Sequence, residues 1–128
     1  MDKERYNYLS REILDACIEV HSVLGPGLLE SVYQAALMIE FNLRGIPAKE
    51  KIIIPIIYKC INTGRYFEAD IIVEDEIILE LKSVETVIPL FEEQIISYLK
   101  FTDKRLGFLI NFNVPLLKNG FKRFVNNF

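Results

Sequence analysis

Hydrophobic residues recur every three or four positions at the start of the chain, which is the spacing of an amphipathic helix. Between residues 4 and 24 the positions that keep this spacing are Leu9, Ile13, Cys17, Val20 and Leu24. The Gly-Pro-Gly sequence at residues 25–27 interrupts it, because neither residue type continues a helix comfortably. The pattern therefore predicts a first helix that ends at this turn.

The helical spacing resumes after the turn and predicts a second helix over residues 28–44. Gly45 follows, where a left-handed C-terminal cap belongs, and Pro47 comes next as a stop. The side chains predicted to form the buried stripe of this helix are Val32, Ala36, Ile39 and Leu43.

Beyond Pro47 the pattern changes to extended runs of β-branched residues, which favour strands. A first strand is predicted over residues 52–58, and its internal Pro55 indicates an edge position or a bulge. The predicted elements that follow are a turn at 62–64, a strand at 65–73, a charged turn at 74–76, a strand at 77–83, a helix at 89–101, a strand at 107–112 and a short strand at 121–125. In the third helix the predicted core contacts are Leu90, Ile95, Tyr98 and Leu99.

This order of elements predicts an α/β sandwich in which helices flank a mixed β-sheet made of an antiparallel three-stranded meander and a further strand. The 128 residues suit a single domain over residues 1–128. No apolar run approaches the roughly 20 residues that cross a bilayer, and the first residues are too polar to begin a secretory signal. Cys17 and Cys60 lie far apart in the sequence, so we do not expect a disulfide framework. The absence of such a framework favours a reducing, cytoplasmic location.

Charge is distributed unevenly along the chain, although the net charge is only −3. Residues 1–96 hold 9 Lys and Arg against 17 Asp and Glu, whereas residues 97–128 hold 6 against 1. The cations of this basic tail are Lys100, Lys104, Arg105, Lys118, Lys122 and Arg123. A polyanion bound along the tail and a solvated surface that is basic by chance are both compatible with this distribution.

The third predicted strand contains two charges in an otherwise apolar segment. Residues 77–79 are consecutive and apolar, which is typical of a strand covered on both faces. Glu80 and Lys82 are two residues apart and therefore point to the same face. Burying even a partly paired charge costs several kcal/mol, so stability alone does not explain why this strand contains these two charged residues.

Hydrolysis of a phosphodiester bond supplies one reason. Mg²⁺ prefers carboxylate oxygens, and it can orient a phosphate and lower the pKa of a bound water. Asp70 lies on the neighbouring strand of the meander and can add a second carboxylate, while Lys82 can stabilise developing negative charge. The alternative is a structural salt bridge from Asp70 or Glu68 to Lys82 in an unrelated domain.

Three residues outside this strand pair could contribute to the same site. Glu30 lies in the first turn of the second helix, where the helix dipole favours an acid in any protein, and from there it could lend a further carboxylate to a metal. Gln94 and Tyr98 are four residues apart and share a helix face, so both could hydrogen-bond a phosphate or a metal-bound water. An ordinary amphipathic helix with a polar shoulder explains the same pair.

The ordered set of motifs resembles the GxxExxY proteins of bacteria and archaea, a branch of the PD-(D/E)XK nuclease superfamily. The resemblance runs from about residue 19 to residue 125. The segments that carry it are 27–33 (GLLESVY), 69–73 (ADIIV), 80–82 (ELK), 94–99 (QIISYL) and 107–112 (GFLINF). The glutamine and tyrosine of the fourth segment are similar to an element of RecB-like nucleases.

The resemblance implies a restriction-endonuclease-like core with a metal-dependent deoxyribonuclease activity. It implies that Asp70 and Glu80 bind Mg²⁺ or Mn²⁺, that Glu30 adds a ligand or a carboxylate just behind the ligands, and that Lys82 assists the attacking water. The residues that would support the site or touch DNA are Tyr33, Gln94 and Tyr98.

Two further features bear on the resemblance. The stretch before the glutamine often carries a histidine in such proteins, but residues 90–93 contain none. His21, the only histidine, resembles a residue of the family before the glycine turn. Its position at the end of the first helix suits capping or packing, with a role in the site as the alternative.

One other function is compatible with the same sequence. A catalytically idle module of the same fold would bind DNA or a protein partner, since the body is acidic and the domain is small for gripping a substrate alone. A homodimer would answer that difficulty, and the closing aromatic residues Phe121, Phe124 and Phe128 could either form its interface or complete the core.

Overall fold

The computed structural model describes residues 1–128 and has three helices and five strands. The elements in order are α1 (Lys3–Leu24), α2 (Glu30–Leu43), β1 (Ala48–Tyr58), β2 (Ile61–Val73), β3 (Ile77–Lys82), α3 (Pro89–Thr102), β4 (Leu106–Asn111), a 3-10 turn (Leu117–Gly120) and β5 (Phe121–Val125). These elements confirm the predicted α/β class with a mixed sheet.

The five strands form one open sheet in the order β1-β2-β3-β4-β5. Neighbouring strands are antiparallel except β3 and β4, which are parallel and are joined by α3 as the crossover. The helices α1 and α2 cover one face of the sheet over the larger hydrophobic core, which includes Ile71, Leu79 and Ile110. The opposite face holds a smaller core, in which Leu99 of α3 packs with Ile72 and Ile78. The central strands are therefore covered on both faces, as the apolar run in β3 predicts.

The second helix buries a different face from the predicted one. Tyr33, Leu37 and Phe41 are buried against the core, whereas the predicted stripe is largely exposed; its members are Val32, Ala36, Ile39 and Leu43. The helix is apolar on two sides, so periodicity does not distinguish them. The side with the two aromatic rings covers more apolar area, and burying that side is the more favourable choice.

Two smaller predictions about the core and the turns are also wrong. Leu90 is exposed, since it lies in the first turn of α3 beyond the edge of the smaller core. The turn predicted at residues 62–64 belongs to β2, and the chain reverses at Lys59 and Cys60, whose φ angles are 48° and 64°. Non-glycine residues rarely adopt these left-handed angles, so the sequence gives no turn signal there.

The interpretation of Pro55 is confirmed on both counts. β1 is an edge strand of the sheet, and its register with β2 shifts between Pro55 and Ile57. Proline has no N–H for a ladder hydrogen bond, so it fits at an edge or a bulge.

The closing aromatic residues are at least partly buried and pack onto the body. The Phe121 ring stacks on Phe108 at 4.6 Å between centroids, and Phe128 meets Tyr6 edge-on at 5.2 Å. These contacts favour the interpretation that the C-terminal residues complete the core.

The basic tail does not form one surface. Lys122 pairs with Glu92 of α3 at 2.9 Å, while Arg123, next to it on β5, lies over the Phe128 ring on the side of α1. Successive residues of a strand point to opposite faces, so these cations are separated by the sheet. The six cations therefore do not form one continuous basic surface.

None of the three helices combines the length and hydrophobicity that crossing a bilayer requires.

The corrected helix faces predict a large difference between two identical substitutions. Leu37 is fully buried in α2, whereas Leu90 exposes 53% of its surface in α3. We expect Leu37→Ala to lower the free energy of unfolding by about 2–5 kcal/mol, because it leaves a cavity in the core. Leu90→Ala is the matched control and should change it by less than about 0.5 kcal/mol. Urea denaturation measures both, and comparable losses would contradict the assignment of faces.

Candidate functional site

The candidate site lies where β2 and β3 separate. Their ladder comprises only three residue pairs, the last of which joins Ile71 to Leu79. Beyond it, side chains replace the backbone hydrogen bonds of the ladder. The Leu81 N–H donates to Oδ2 of Asp70 at 2.8 Å, and the Asp70 N–H donates to Oε1 of Glu80 at 3.3 Å. These two bonds hold the Asp70 and Glu80 carboxyl groups beside each other.

Both carboxyl groups are harder to ionise than usual. Glu80 is only 8% exposed, and burial, followed by the negative charge of Asp70, raises the pKa of Glu80 to about 9. Burial also raises the pKa of Asp70, against the lowering effect of the hydrogen bond from Leu81. Two adjacent acids in a poorly hydrated position repel each other, so a bound cation would relieve both the repulsion and the burial cost.

Lys82 lies close to this pair but forms no salt bridge. The four salt bridges of the protein are Arg5–Glu74, Arg44–Glu40, Lys49–Asp75 and Lys122–Glu92. The Nζ of Lys82 lies instead over the Phe91 ring, 4.3 Å from its centroid. The structural salt bridge from Asp70 or Glu68 to Lys82 is therefore absent, although burial raises the pKa of Asp70 and the charge of Lys82 acts to lower it.

Glu30 is the first residue of α2 and reaches the edge of the site. Partial desolvation of its carboxyl group raises its pKa, while the nearby charge of Lys82 lowers it and that of Asp70 raises it. The turn before it is fixed to the end of β3, because Oγ of Ser83 donates a hydrogen bond to the carbonyl of Leu28. Glu30 thus shares the electrostatic environment of the strand pair.

The structure contains no group of three or more His, Cys, Asp or Glu side chains arranged to hold a metal ion. Glu30 does not join Asp70 and Glu80 in one ligand set, so the contacts support two carboxylates at the candidate centre. Two hard oxygen donors suit Mg²⁺, which is commonly bound by one or two carboxylates and keeps several waters. The donor set therefore fits such an ion.

Tyr33 supports the site from a distance. Its ring is buried and stacks on Phe112 at 4.5 Å between centroids. Its hydroxyl donates to the carbonyl of Gly25 and accepts from the Leu28 N–H at 3.1 Å. These bonds fix the turn that leads into α2 and thereby the position of Glu30. Tyr33 is a positioning residue and is too buried to touch a substrate.

Gln94 and Tyr98 lie four residues apart on α3, and Tyr98 is close to the carboxylate pair. Tyr98 stacks on Phe67 at 3.8 Å between centroids, and burial followed by the negative charges of Glu80 and Asp70 raises its pKa. Gln94 is half-buried. Tyr98 therefore borders the site.

Sequence reasoning did not identify two polar residues that organise the site. Gln34 on α2 donates from Nε2 to the carbonyl of Asp70 at 3.1 Å. Asn111 is buried at the end of β4, where it accepts from the Val84 N–H at 3.1 Å and donates to the Val84 carbonyl at 2.9 Å. Asn111 could have been identified from the sequence, because it is a polar residue at the end of an apolar strand. Nothing in the sequence distinguishes Gln34 from other polar residues of a helix.

His21 lies outside the site. Its Nε2 is 2.7 Å from the Val114 carbonyl, which links the end of α1 to the loop after β4. This contact favours packing over a role in the site.

The raised pKa of Glu80 predicts how the metal-free protein responds to pH. The unfolded chain releases this proton near pH 4.3, whereas the folded protein keeps it until about pH 9. The folded state therefore binds more protons in between, and the stabilisation is complete below about pH 4 and is lost as the pH rises towards 9. Glu80→Gln removes the titrating carboxyl group, yet the amide oxygen of the glutamine can still accept the hydrogen bond from the Asp70 N–H. In EDTA at pH 8 we expect its Tm to exceed that of the wild type by at least about 4 °C.

Thermal unfolding between pH 5 and 9 measures this difference, and Glu93→Gln, at an exposed position of α3, is the control. Parallel pH profiles for the wild type and Glu80→Gln would contradict the raised pKa.

Comparison with known proteins agrees with this geometry. No curated protein and no solved structure shows a significant match to the chain. A family model of the PD-(D/E)XK nuclease superfamily matches residues 7–124, which include every candidate site residue. The match covers nearly the whole chain, and the chain belongs to the PD-(D/E)XK nuclease superfamily.

Proposed function

We propose that this protein is a metal-dependent nuclease of the GxxExxY branch that hydrolyses phosphodiester bonds in DNA. The observation that carries the proposal is that hydrogen bonds from the backbone hold the Asp70 and Glu80 carboxyl groups beside each other, near a lysine that forms a salt bridge with neither. A structural role would favour an ion pair there. An arrangement that keeps acids together and a cation free suits a bound metal and an anionic substrate.

Asp70 and Glu80 are the proposed ligands of Mg²⁺ or Mn²⁺. Nucleases of this superfamily generally use divalent metal ions. The bound ion would supply an activated water and offset negative charge on the scissile phosphate. The hydrogen bond that Leu81 donates to Asp70 leaves the other oxygen of that carboxylate available, and Glu30 would act through an intervening water.

Lys82 would bind the phosphate and stabilise the negative charge that develops on it. It follows Glu80 by two residues, so the strand directs both side chains to the same face. The Phe91 ring beneath the ammonium group holds it without neutralising it. An ammonium group fixed by an uncharged partner keeps its full attraction for an anion.

Several contacts hold these groups in place before a substrate arrives. Gln34 fixes the backbone of Asp70 from α2, and Asn111 fixes the loop that follows Lys82. Gln94, at the rim of the site, would donate to a phosphate oxygen or to a metal-bound water.

Two substitutions at the centre test the activity. Asp70→Asn keeps an acceptor for the Leu81 N–H but removes the charge, and Lys82→Ala removes the ammonium group. We expect each to lower the rate of DNA cleavage in Mn²⁺ or Mg²⁺ by about 10²–10⁴-fold. Gel assays on single-stranded, duplex and branched DNA measure the rates, and Lys100→Ala, at an exposed position of α3, is the control. Cleavage that survives both changes would indicate a contaminant.

A binding module without turnover is the second candidate. The absence of a third carboxylate from the ligand set favours it, because a weaker metal site would suit binding better than catalysis. If the protein is a binding module, the wild type should not cleave DNA and Mg²⁺ should not raise its Tm. The Glu80→Gln variant should then bind DNA with the same affinity as the wild type. The nuclease expects a Tm that rises with Mg²⁺, because an ion that binds only the folded state stabilises it.

We also propose that two copies of the chain pair through α2. The apolar residues at its start and along its outer face recur at alternating intervals of three and four. Leu29, Val32, Ile39 and Leu43 are exposed, and Ala36 between them is partly buried. That spacing forms a continuous seam on a helix, and an identical seam can pack against it across a two-fold axis.

Sedimentation equilibrium tests the pairing. We expect a dimer of the 14.9 kDa chain that Ile39→Glu converts to a monomer without loss of helical signal, because a buried charge would oppose the contact. Glu93→Gln, at an exposed position of α3 on the other face of the sheet, should leave the dimer intact. A wild type that stays monomeric at high concentration would refute the interface.

A further inference from the structure

The hairpin of β1 and β2 continues well past the point at which β2 leaves β3. Residues 51–67, named the arm here, contain its outer part and its turn. The strand pairs run from Ile54↔Phe67 to Tyr58↔Ile61, and the ladder from Ile52 to Tyr58 extends roughly 20 Å at the usual rise per residue. The arm therefore projects from the candidate site, since Asp70 lies three residues beyond its end.

The base of the arm is held against α3. Ile54 is buried with Leu99, and Phe67 stacks on Tyr98, which itself borders Asp70 and Glu80. The orientation of the arm is thus fixed relative to the carboxylates. A ligand lying along it would reach the site without a rearrangement of the fold.

The charge of the arm differs from that of the rest of the chain. It contains Lys51, Lys59 and Arg65 and no acidic residue, so its net charge is +3, whereas the remaining residues sum to −6. None of the three cations forms a salt bridge; all four such pairs lie outside the arm. A polyanion would meet its attractive charge here, and the acidic body would repel it elsewhere.

The arm also exposes aromatic and apolar side chains. Tyr58, Ile61 and Tyr66 expose 64%, 70% and 61% of their surface, and Ile53 and Ile57 are exposed as well. Tyr66 precedes Phe67 and points to the opposite face, away from α3. The Nζ of Lys59 lies 5.5 Å from the centroid of the Tyr58 ring. A narrow ribbon that exposes both rings and unpaired cations suits single-stranded nucleic acid, whose unpaired bases stack on tyrosine while its phosphates bind lysine and arginine.

The free edge of the arm is a poor site for pairing with another strand. Lys51 has a φ angle of 54°, which breaks the extended backbone, and Pro55 has no N–H to donate. Both features discourage strand addition along β1. The accessible binding surface is therefore the side chains of the arm and not its backbone edge.

We propose that the arm binds a single-stranded segment of nucleic acid and leads it to Asp70, Glu80 and Lys82. The phosphates contact Lys51, Lys59 and Arg65, and the bases stack on the exposed tyrosines. The inference that this segment is then cleaved rests on the proposed function, whereas the binding surface does not.

Binding and hydrolysis are measured separately to test the arm. Fluorescence anisotropy in EDTA follows a labelled 20-nucleotide single strand and its duplex over a range of salt concentrations. Two variants alter the arm: Lys59→Gln with Arg65→Gln, and Tyr66→Leu. The control is Arg11→Gln with Lys118→Gln, which removes the same charge from exposed positions outside the arm. Hydrolysis of bis(4-nitrophenyl) phosphate in Mn²⁺ reports on the carboxylate centre, since this small diester does not need the arm.

We expect the double charge variant to lower the slope of log affinity against log salt by about 1.4, since two phosphate contacts are lost from a single strand. Tyr66→Leu should weaken single-strand binding about tenfold and duplex binding less. Both variants should hydrolyse the small diester as the wild type does, and the control should match the wild type throughout.

Three results would overturn the proposal that the arm binds nucleic acid. The first is no binding by the wild type, and the second is a salt slope of the double charge variant equal to that of the control. The third is a molecular mass that falls in the arm variants, which would make the arm a contact between copies of the chain. Single-strand binding without hydrolysis of any diester leaves the arm in place and refutes the nuclease instead.

Discussion

The two hydrogen bonds that cross the gap between β2 and β3 determine much of what this protein can do. A sheet normally continues its ladder until a strand ends, but here the strands separate while both continue. The backbone groups left without partners are satisfied by the side chains of Asp70 and Glu80. Unpaired backbone groups are costly inside a protein, so the fold itself requires acceptors there. Asp70 and Glu80 accept the hydrogen bonds that the ladder no longer provides, and this brings the two acids together.

The arrangement places two acids next to each other in a poorly hydrated position, and no salt bridge compensates their charge. Burial raises the pKa of both acids, the negative charge of Asp70 raises that of Glu80 further, and Lys82 lies over an aromatic ring instead of pairing with a carboxylate. Stability alone would favour neutral side chains at these positions. In the proposed function, a divalent cation bound to the acids and an anionic phosphate bound to Lys82 would relieve this electrostatic imbalance.

The same separation of strands also produces the arm. Because β2 leaves β3 at Asp70, its preceding residues have only β1 as a partner, and one face of that ribbon stays open. One face is fixed on α3 through Phe67, Tyr66 points to the open face, and the cations and the other tyrosine of the arm are exposed. The strand that supplies a carboxylate continues, past the exposed Glu68, into a segment of opposite charge. Site and arm are connected by a single strand and need no separate domain.

The sequence determined the order and type of the elements, the edge position of β1, and the grouping of Asp70, Glu80 and Lys82, because these follow from residue periodicity and from charges that interrupt it. It did not determine which side of α2 is buried, since both sides are apolar and only the shape of the core selects Tyr33, Leu37 and Phe41. Nor did it reveal the hairpin turn at Lys59, where residues of no special turn preference adopt left-handed angles. Gln34, the Phe91 ring and the arm became visible only when distant segments met. Local pattern specifies elements, whereas contacts between elements decide which polar groups stay unpaired and hence where chemistry can occur.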